Sequence, residues 1–156
     1  MIRSLRQSQN SFATPSWREP MPQVEVKTSS AETYQQQIKA GSHTFNADAP
    51  KAVGGLEAAP GPHELLLGAL GACTSMTMQM YAKRKGWNLK EVTVKVSEER
   101  DEKAPGQPVS KIKREIQVGG DLAPDQVEAL KAIAEKCPIH KLLSSGNQIT
   151  TAISHN

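Results

Sequence analysis

The sequence predicts an α+β fold of antiparallel strands around a central helix. Three observations predict it: short runs of alternating apolar and polar residues arranged as hairpins, a long segment apolar on nearly every side with both ends marked, and a shorter helical segment broken by proline. With 156 residues, 37% of them hydrophobic, the chain is long enough for one domain with a real core.

Residues 1 to about 22 are polar, and Pro15, Pro20 and Pro22 block regular structure, so they read as a disordered N-terminal tail ahead of a single domain over 23–156. The first eighteen residues carry three arginines, several serines and no acid. That composition superficially suits an organelle transit peptide, but there is no amphipathic apolar face to go with it. Order is expected from Val24, where Val24 and Val26 alternate with polar neighbours. Residues 33–39 and 43–47 flank Ala40-Gly41-Ser42, a hairpin turn, and complete an N-terminal antiparallel sheet. From residue 48 to 61 the chain is rich in Ala, Pro and Gly, which is loop chemistry.

Pro62 opens the long helix, where its missing amide hydrogen costs nothing, and Glu64 complements the positive end of the helix dipole. Lys83-Arg84-Lys85 place cations at the other end and Gly86 supplies a left-handed stop, so the helix is predicted over 62–85. Leu66, Leu70, Cys73, Thr77 and Met80 follow helical spacing, while Leu65, Leu67, Ala69, Ala72, Met76 and Met78 make most of the remaining circumference apolar. Such a helix belongs at the centre of the fold. Gly68, Gly71 and Ala72 would let another element or a second subunit approach closely.

Beyond Trp87, Val92, Val94 and Val96 alternate with polar residues, as do Ile112, Ile116 and Val118 after a polar loop containing Pro105-Gly106-Gln107-Pro108, giving a second long hairpin closed by Gly119-Gly120-Asp121. Pro124 begins a second helix with the apolar line Val127, Leu130, Ile133, Ala134 and Cys137. Pro138 interrupts it and suits the first position of a short helix over 139–145, stopped by Gly146, with a last strand near 148–153. Cys137 therefore falls at a helix junction, where backbone amides of the next helix can stabilise a thiolate.

The net charge is +3 with both signs interspersed, so no basic stripe points to nucleic acid, and six aromatic residues leave little for stacking bases. The segment 65–80 has no charge but is shorter than a membrane span and carries hydroxyl and amide side chains. Two cysteines do not make a secreted disulfide scaffold; a reducing, cytoplasmic setting is expected.

Two readings of those cysteines stand side by side: small buried hydrophobes, or a redox pair that meets in the fold. A redox pair needs a lowered pKa or a nearby cation, because a thiol buried among leucines is inert. Cys137-Pro138-Ile139-His140 has the spacing of a metal half-site and would need Cys73 and His63 to complete a zinc tetrahedron, but a second closely spaced ligand pair is missing from the sequence. No metal or cofactor is expected. Met76, Met78 and Met80 read as core filling, or as a flexible wall for an alkyl tail.

Several pieces together carry a resemblance: Gly54-Gly55; Gly61-Pro62-His63-Glu64-Leu65-Leu66-Leu67; Ala69-Leu70-Gly71-Ala72-Cys73-Thr74; Tyr81-Ala82-Lys83-Arg84-Lys85-Gly86-Trp87; and Ala134-Glu135-Lys136-Cys137-Pro138-Ile139-His140. Over roughly residues 33–153 the chain resembles the OsmC/Ohr family, the osmotically inducible and organic-hydroperoxide-resistance proteins, and more closely its OsmC-like branch. The resemblance implies antiparallel sheets wrapping paired central helices in an intertwined homodimer, with the two cysteines together near the subunit interface. It implies a thiol-dependent peroxidase of oxidative or osmotic stress defence. Cys73 would attack an organic hydroperoxide, Cys137 would resolve the product as a disulfide, and an external thiol or dithiol would reduce the bridge. Glu64 is the third candidate for the site. Here the chain departs from the peroxidase members: His63 occupies the position of their glutamate, ten residues before the first cysteine, with Glu64 one step later. Their activating arginine has no counterpart between Pro20 and Arg84, leaving Arg18, Lys39 and His43 as candidates. The alternative is a non-catalytic OsmC-like dimer that binds a small apolar ligand and keeps its cysteines buried.

Overall fold

The computed structural model describes residues 22–99 and 111–155. The expected N-terminal tail, Arg18 within it, and the loop around Pro105 lie outside the described residues. The chain divides between Ala59 and Pro60 into two compact units.

The first unit holds β1 (Val24–Thr28), β2 (Gln36–Ala40) and β3 (His43–Ala47), an antiparallel meander in the order β1-β2-β3. Gly41 and Ser42 turn β2 into β3, with Ala40 opposite His43, so the two-residue hairpin lies where the turn chemistry predicts it. Register aligns Val26, Ile38 and Phe45 across the three strands. β2 begins at Gln36 rather than at residue 33. The segment after β3 is shaped by Asp48, a buried carboxylate that accepts the N–H groups of Ala49 at 2.8 Å, Leu56 at 3.2 Å and Ala58 at 3.1 Å. It closes the loop around a 3₁₀ turn at Lys51–Val53, giving a Pro- and Gly-rich segment a fixed path that its propensities do not supply.

The second unit begins with α1 (Pro62–Lys85), whose ends agree with the sequence signals: Pro62 at N1, the Glu64 carboxylate accepting the Gly61 N–H at 2.8 Å, and Gly86 at φ 69° as the left-handed stop. α1 lies on a hairpin of β4 (Asn88–Glu99) and β5 (Lys111–Asp121), paired through Val92 with Val118, Val94 with Ile116 and Val96 with Arg114. A register shift between Leu89 and Glu91 bulges the hairpin opposite Gly120. There φ is 135° and any side chain would collide with the Asn88 carbonyl, so glycine is required.

α2 (Pro124–Ala134) and α3 (Pro138–Ser144) follow, both packed on α1. The core gathers Met78 and Ala82 from α1 with Leu130 and Ala134 from α2, and it is enclosed by Tyr81, Trp87, Leu89, Val92, Ile116, Val118, Leu122 and Ile133. Tyr81 and Trp87 meet edge to face at 5.4 Å.

Two expectations are modified. Although α1 is apolar on nearly all sides, the chain buries only the stripe Leu70, Thr74, Met78 and Ala82, and leaves Leu66, Met76 and Met80 exposed. The strand expected near 148–153 is not formed. That segment pairs with no described strand and stays open, with Ile149 91% and Ile153 98% exposed. No helix among the described residues is long and apolar enough to cross a membrane.

Candidate active site

Cys73 and Cys137 are separated by 64 positions and meet inside the second unit, close enough for each thiol to shift the ionisation of the other. Two folding facts bring them together. Cys73 occurs midway along α1, one residue before the buried Thr74, and so sits at the margin of the stripe that faces the core. Cys137 ends the apolar line of the α2 segment but is not part of α2. It is the N-cap of α3, its N–H bonded back to the Ala134 carbonyl at 3.4 Å and its own carbonyl accepting the Lys141 N–H at 3.1 Å. The Pro138 break is what turns its side chain toward α1.

The pair is asymmetric. Cys73 is partly exposed, whereas Cys137 is sealed at 0% exposure. Burial pushes the Cys73 thiol up, and so does the hydrogen bond it donates to Cys137; the Ile139 N–H and the Thr77 hydroxyl oppose these only in part. Burial acts on Cys137 in the same sense but is outweighed. The bond from Cys73, the N–H groups of His140 and Ile139 and the Thr74 hydroxyl all favour a thiolate, and the Cys137 thiol is lowered. The two thiols influence each other's ionisation, and the hydrogen-bond donors gathered at Cys137 favour negative charge on the inner sulfur.

Arg114 closes the site from β5. Its Nη1 donates to Thr74 Oγ1 at 2.8 Å and to the Ala134 carbonyl at 3.1 Å, and its Nη2 to Glu135 Oε1 at 2.8 Å and His140 Nδ1 at 3.2 Å. Because a guanidinium only donates, His140 Nδ1 is the acceptor, which leaves the proton on Nε2, 3.2 Å from Glu135 Oε2. Arg114 was not among the candidates drawn from the sequence, although a signal was present. Ile112, Arg114, Ile116 and Val118 share one face of an alternating strand, and an arginine in an inward apolar row calls for a partner.

The other candidates lie elsewhere. Glu64 spends its carboxylate on the α1 N-cap, and the nine steps along α1 from it to Cys73 correspond to about 13 Å of rise and about two and a half turns, which puts the two on opposite sides of the helix. The structure does not bring it to the thiols. His63 pairs with Glu98 at 2.7 Å on the surface. Lys39 and His43 belong to β2 and β3 of the first unit. Among the described residues no three His, Cys, Asp or Glu side chains are grouped to hold a metal. A cleft of about 300 Å³ lies beside the site, walled by Met78, Ile116, Val118, Val127 and Leu130, with Arg114, Lys131 and Glu135 at its rim.

The family model described as OsmC-like protein matches residues 54–152. Among solved structures, the OsmC-like protein of Mycoplasma pneumoniae superposes with a TM-score of 0.68 at 16% identity, covering 81% of this chain and 89% of that one. OhrB, the organic hydroperoxide resistance protein of Bacillus subtilis, superposes with a TM-score of 0.52 at 23% identity, covering 78% and 88%. An OsmC organic hydroperoxide resistance protein of Legionella pneumophila gives a TM-score of 0.53 at 18% identity over 78% and 88%. These likenesses establish the α+β fold of that family. No curated protein sequence matches the chain.

Proposed function

Since the chain belongs to the OsmC-like protein family, we propose that it is a thiol-dependent peroxidase that reduces organic hydroperoxides, with Cys73 and Cys137 as its working pair. The observation that carries this reading is the meeting of one reachable thiol on α1 with one sealed thiol at the start of α3.

The chemistry follows from that asymmetry. As the Cys73 sulfur attacks the terminal peroxide oxygen, its proton passes to the Cys137 thiolate beside it; the O–O bond breaks, Cys73 becomes a sulfenic acid, and the alkoxide leaves and is protonated to the alcohol. Cys137 then attacks the Cys73 sulfur and expels water to form a disulfide. An external thiol or dithiol returns both sulfurs to the reduced state. Cys137 thus serves first as base and then as resolving thiol. Glu64 takes no part in this scheme.

The approach to Cys73 is apolar. Leu66, Met76 and Met80 lie on the uncovered side of α1, seven residues before, three after and seven after Cys73, which favours a hydroperoxide with an organic tail over hydrogen peroxide. The same uncovered face, together with the unpaired segment around Ile149 and Ile153, supports assembly as a homodimer in which a second copy covers α1. A second reading, a non-catalytic dimer that binds a small apolar ligand, is favoured by one feature: the cleft between β5 and α2 is walled by apolar side chains and excludes both thiols.

The test is to add one equivalent of cumene hydroperoxide to the reduced protein, count free thiols over time and locate any bridge by peptide mass spectrometry. Rapid loss of both thiols into a Cys73 to Cys137 disulfide, with sulfenic acid trapped on Cys73 in Cys137→Ser, supports the peroxidase. Thiols that persist while the protein is folded but react normally once it is unfolded reject it in favour of the binding reading.

A further inference from the structure

We infer that Arg114, held by Glu135, is the positioning residue of the cysteine pair, setting both its geometry and the ionisation of Cys137 without touching either sulfur in its hydrogen bonding. The inference rests on the reading of Cys73 and Cys137 as a working pair, though not on the nature of their substrate. The argument starts from how completely the guanidinium is used. It is 10% exposed, and its two terminal nitrogens carry four hydrogens that go to four acceptors: Thr74 Oγ1, the Ala134 carbonyl, Glu135 Oε1 and His140 Nδ1. A planar fork with all four directions filled has no rotational freedom left.

Three of those acceptors stand one bonded step from a thiol. Thr74 follows Cys73 on α1, and its hydroxyl is one of the groups that lower Cys137. The Ala134 carbonyl that receives Nη1 also receives the Cys137 N–H. His140, whose ring is held by Nη2, supplies a backbone N–H to the Cys137 sulfur. Arg114 therefore fastens α1, the end of α2 and the start of α3 to the same strand position, and these are the segments that bear the two sulfurs.

The bond to Thr74 also directs a proton. A threonine hydroxyl has one hydrogen, and here two acceptors compete for it: the Leu70 carbonyl at 2.8 Å and the Cys137 sulfur. With Nη1 donating to the oxygen, the hydroxyl hydrogen must point away from Arg114, toward one of those two. When Cys137 carries charge, the hydroxyl is already polarised to serve it. The titratable or charged groups gathered around the pair are the Cys73 thiol from α1, Arg114 from β5, Glu135 beyond α2 and His140 from α3. Glu135 offsets the charge of Arg114 with one oxygen and orients His140 with the other. The effect of Arg114 is thus delivered through hydrogen bonds more than through a bare field.

The test is a pH titration of the reduced full-length protein followed by thiolate absorbance near 240 nm, with no peroxide present, on wild type, Arg114→Met, Arg114→Lys and Thr74→Val. The expected result is a rise of about one pH unit in the first ionisation of the pair in Arg114→Met. A smaller rise is expected in Thr74→Val, and partial retention in Arg114→Lys, which keeps the charge but cannot fill four directions. A first midpoint unchanged in Thr74→Val and in whichever Arg114 variant folds, with only thermal stability reduced, would reduce Arg114 to a structural tie and overturn the inference. Because the titration contains no hydroperoxide, a shifted midpoint in a protein that proves inert to hydroperoxides keeps the positioning role and removes only the substrate.

Discussion

Leu130→Ala tests how the sulfur pair is supported. Leu130 is 0% exposed and sits in α2 against Met78 and Ala82 of α1, with Ala134 one turn further along. Truncation removes three carbons from a packed site, and Leu→Ala changes in cores cost about 3 to 5 kcal/mol when the cavity stays open. Leu130 also walls the cleft beside Arg114, where neighbours can relax inward, so the lower figure of about 3 kcal/mol applies. With a urea dependence of about 1.5 kcal/mol per molar, the unfolding midpoint falls by about 2 M, read by circular dichroism at one protein concentration so that assembly does not move it. Leu130→Met, which keeps the volume, should lose less than about 1.5 kcal/mol. The change should also reach the site, because α2 carries the Ala134 carbonyl that holds both Arg114 and the Cys137 N–H: Cys137, sealed in wild type, becomes open to iodoacetamide under native conditions. A loss below about 1 kcal/mol with Cys137 still protected would refute the docking of α2 on α1 as the support of the pair.

Asp48 gives a pH dependence of known sign. Backbone N–H groups, foremost that of Ala58, and the Gln35 side chain hold its carboxyl below the usual carboxylate value against the opposing effect of burial. A depressed folded pKa contributes stability that is full above the unfolded value of about 3.9 and lost as pH falls through the folded one. Asp48→Asn should flatten the acid limb of a urea-midpoint profile between pH 5 and 2, within roughly that range; an acid limb as steep as wild type would show that Asp48 does not contribute to it. Met76→Glu places a charge on the uncovered side of α1 and should convert a dimeric sedimentation mass to a monomeric one at micromolar concentration. A wild-type protein that sediments as a monomer would remove the homodimer from the reading.

The sequence by itself determined the local elements of this protein. Pro62 and Gly86 bound a 24-residue helix because one lacks a donor where none is needed and the other takes a left-handed stop. Alternation in Val92, Val94 and Val96 and in Ile112, Ile116 and Val118 specified a hairpin because strand side chains alternate between faces. Its motifs also sufficed to place the chain in its family. Other features depended on side chains distant in sequence. The meeting of Cys73 with Cys137 depends on how α2 ends and α3 begins against α1, which no local pattern encodes. Arg114 was visible only as a charge in an apolar row, and the four groups that accept its hydrogens come from three other segments. Glu64, adjacent by motif to the expected site, went to the helix cap, because an unsatisfied N-cap N–H lay within reach and Cys73 did not. Residues 148–153 have strand composition and remain unpaired, since composition supplies side chains that suit a sheet while a neighbouring edge must come from elsewhere. Hydrogen-bond networks are completed by tertiary packing, and here they decided which residues surround the thiols.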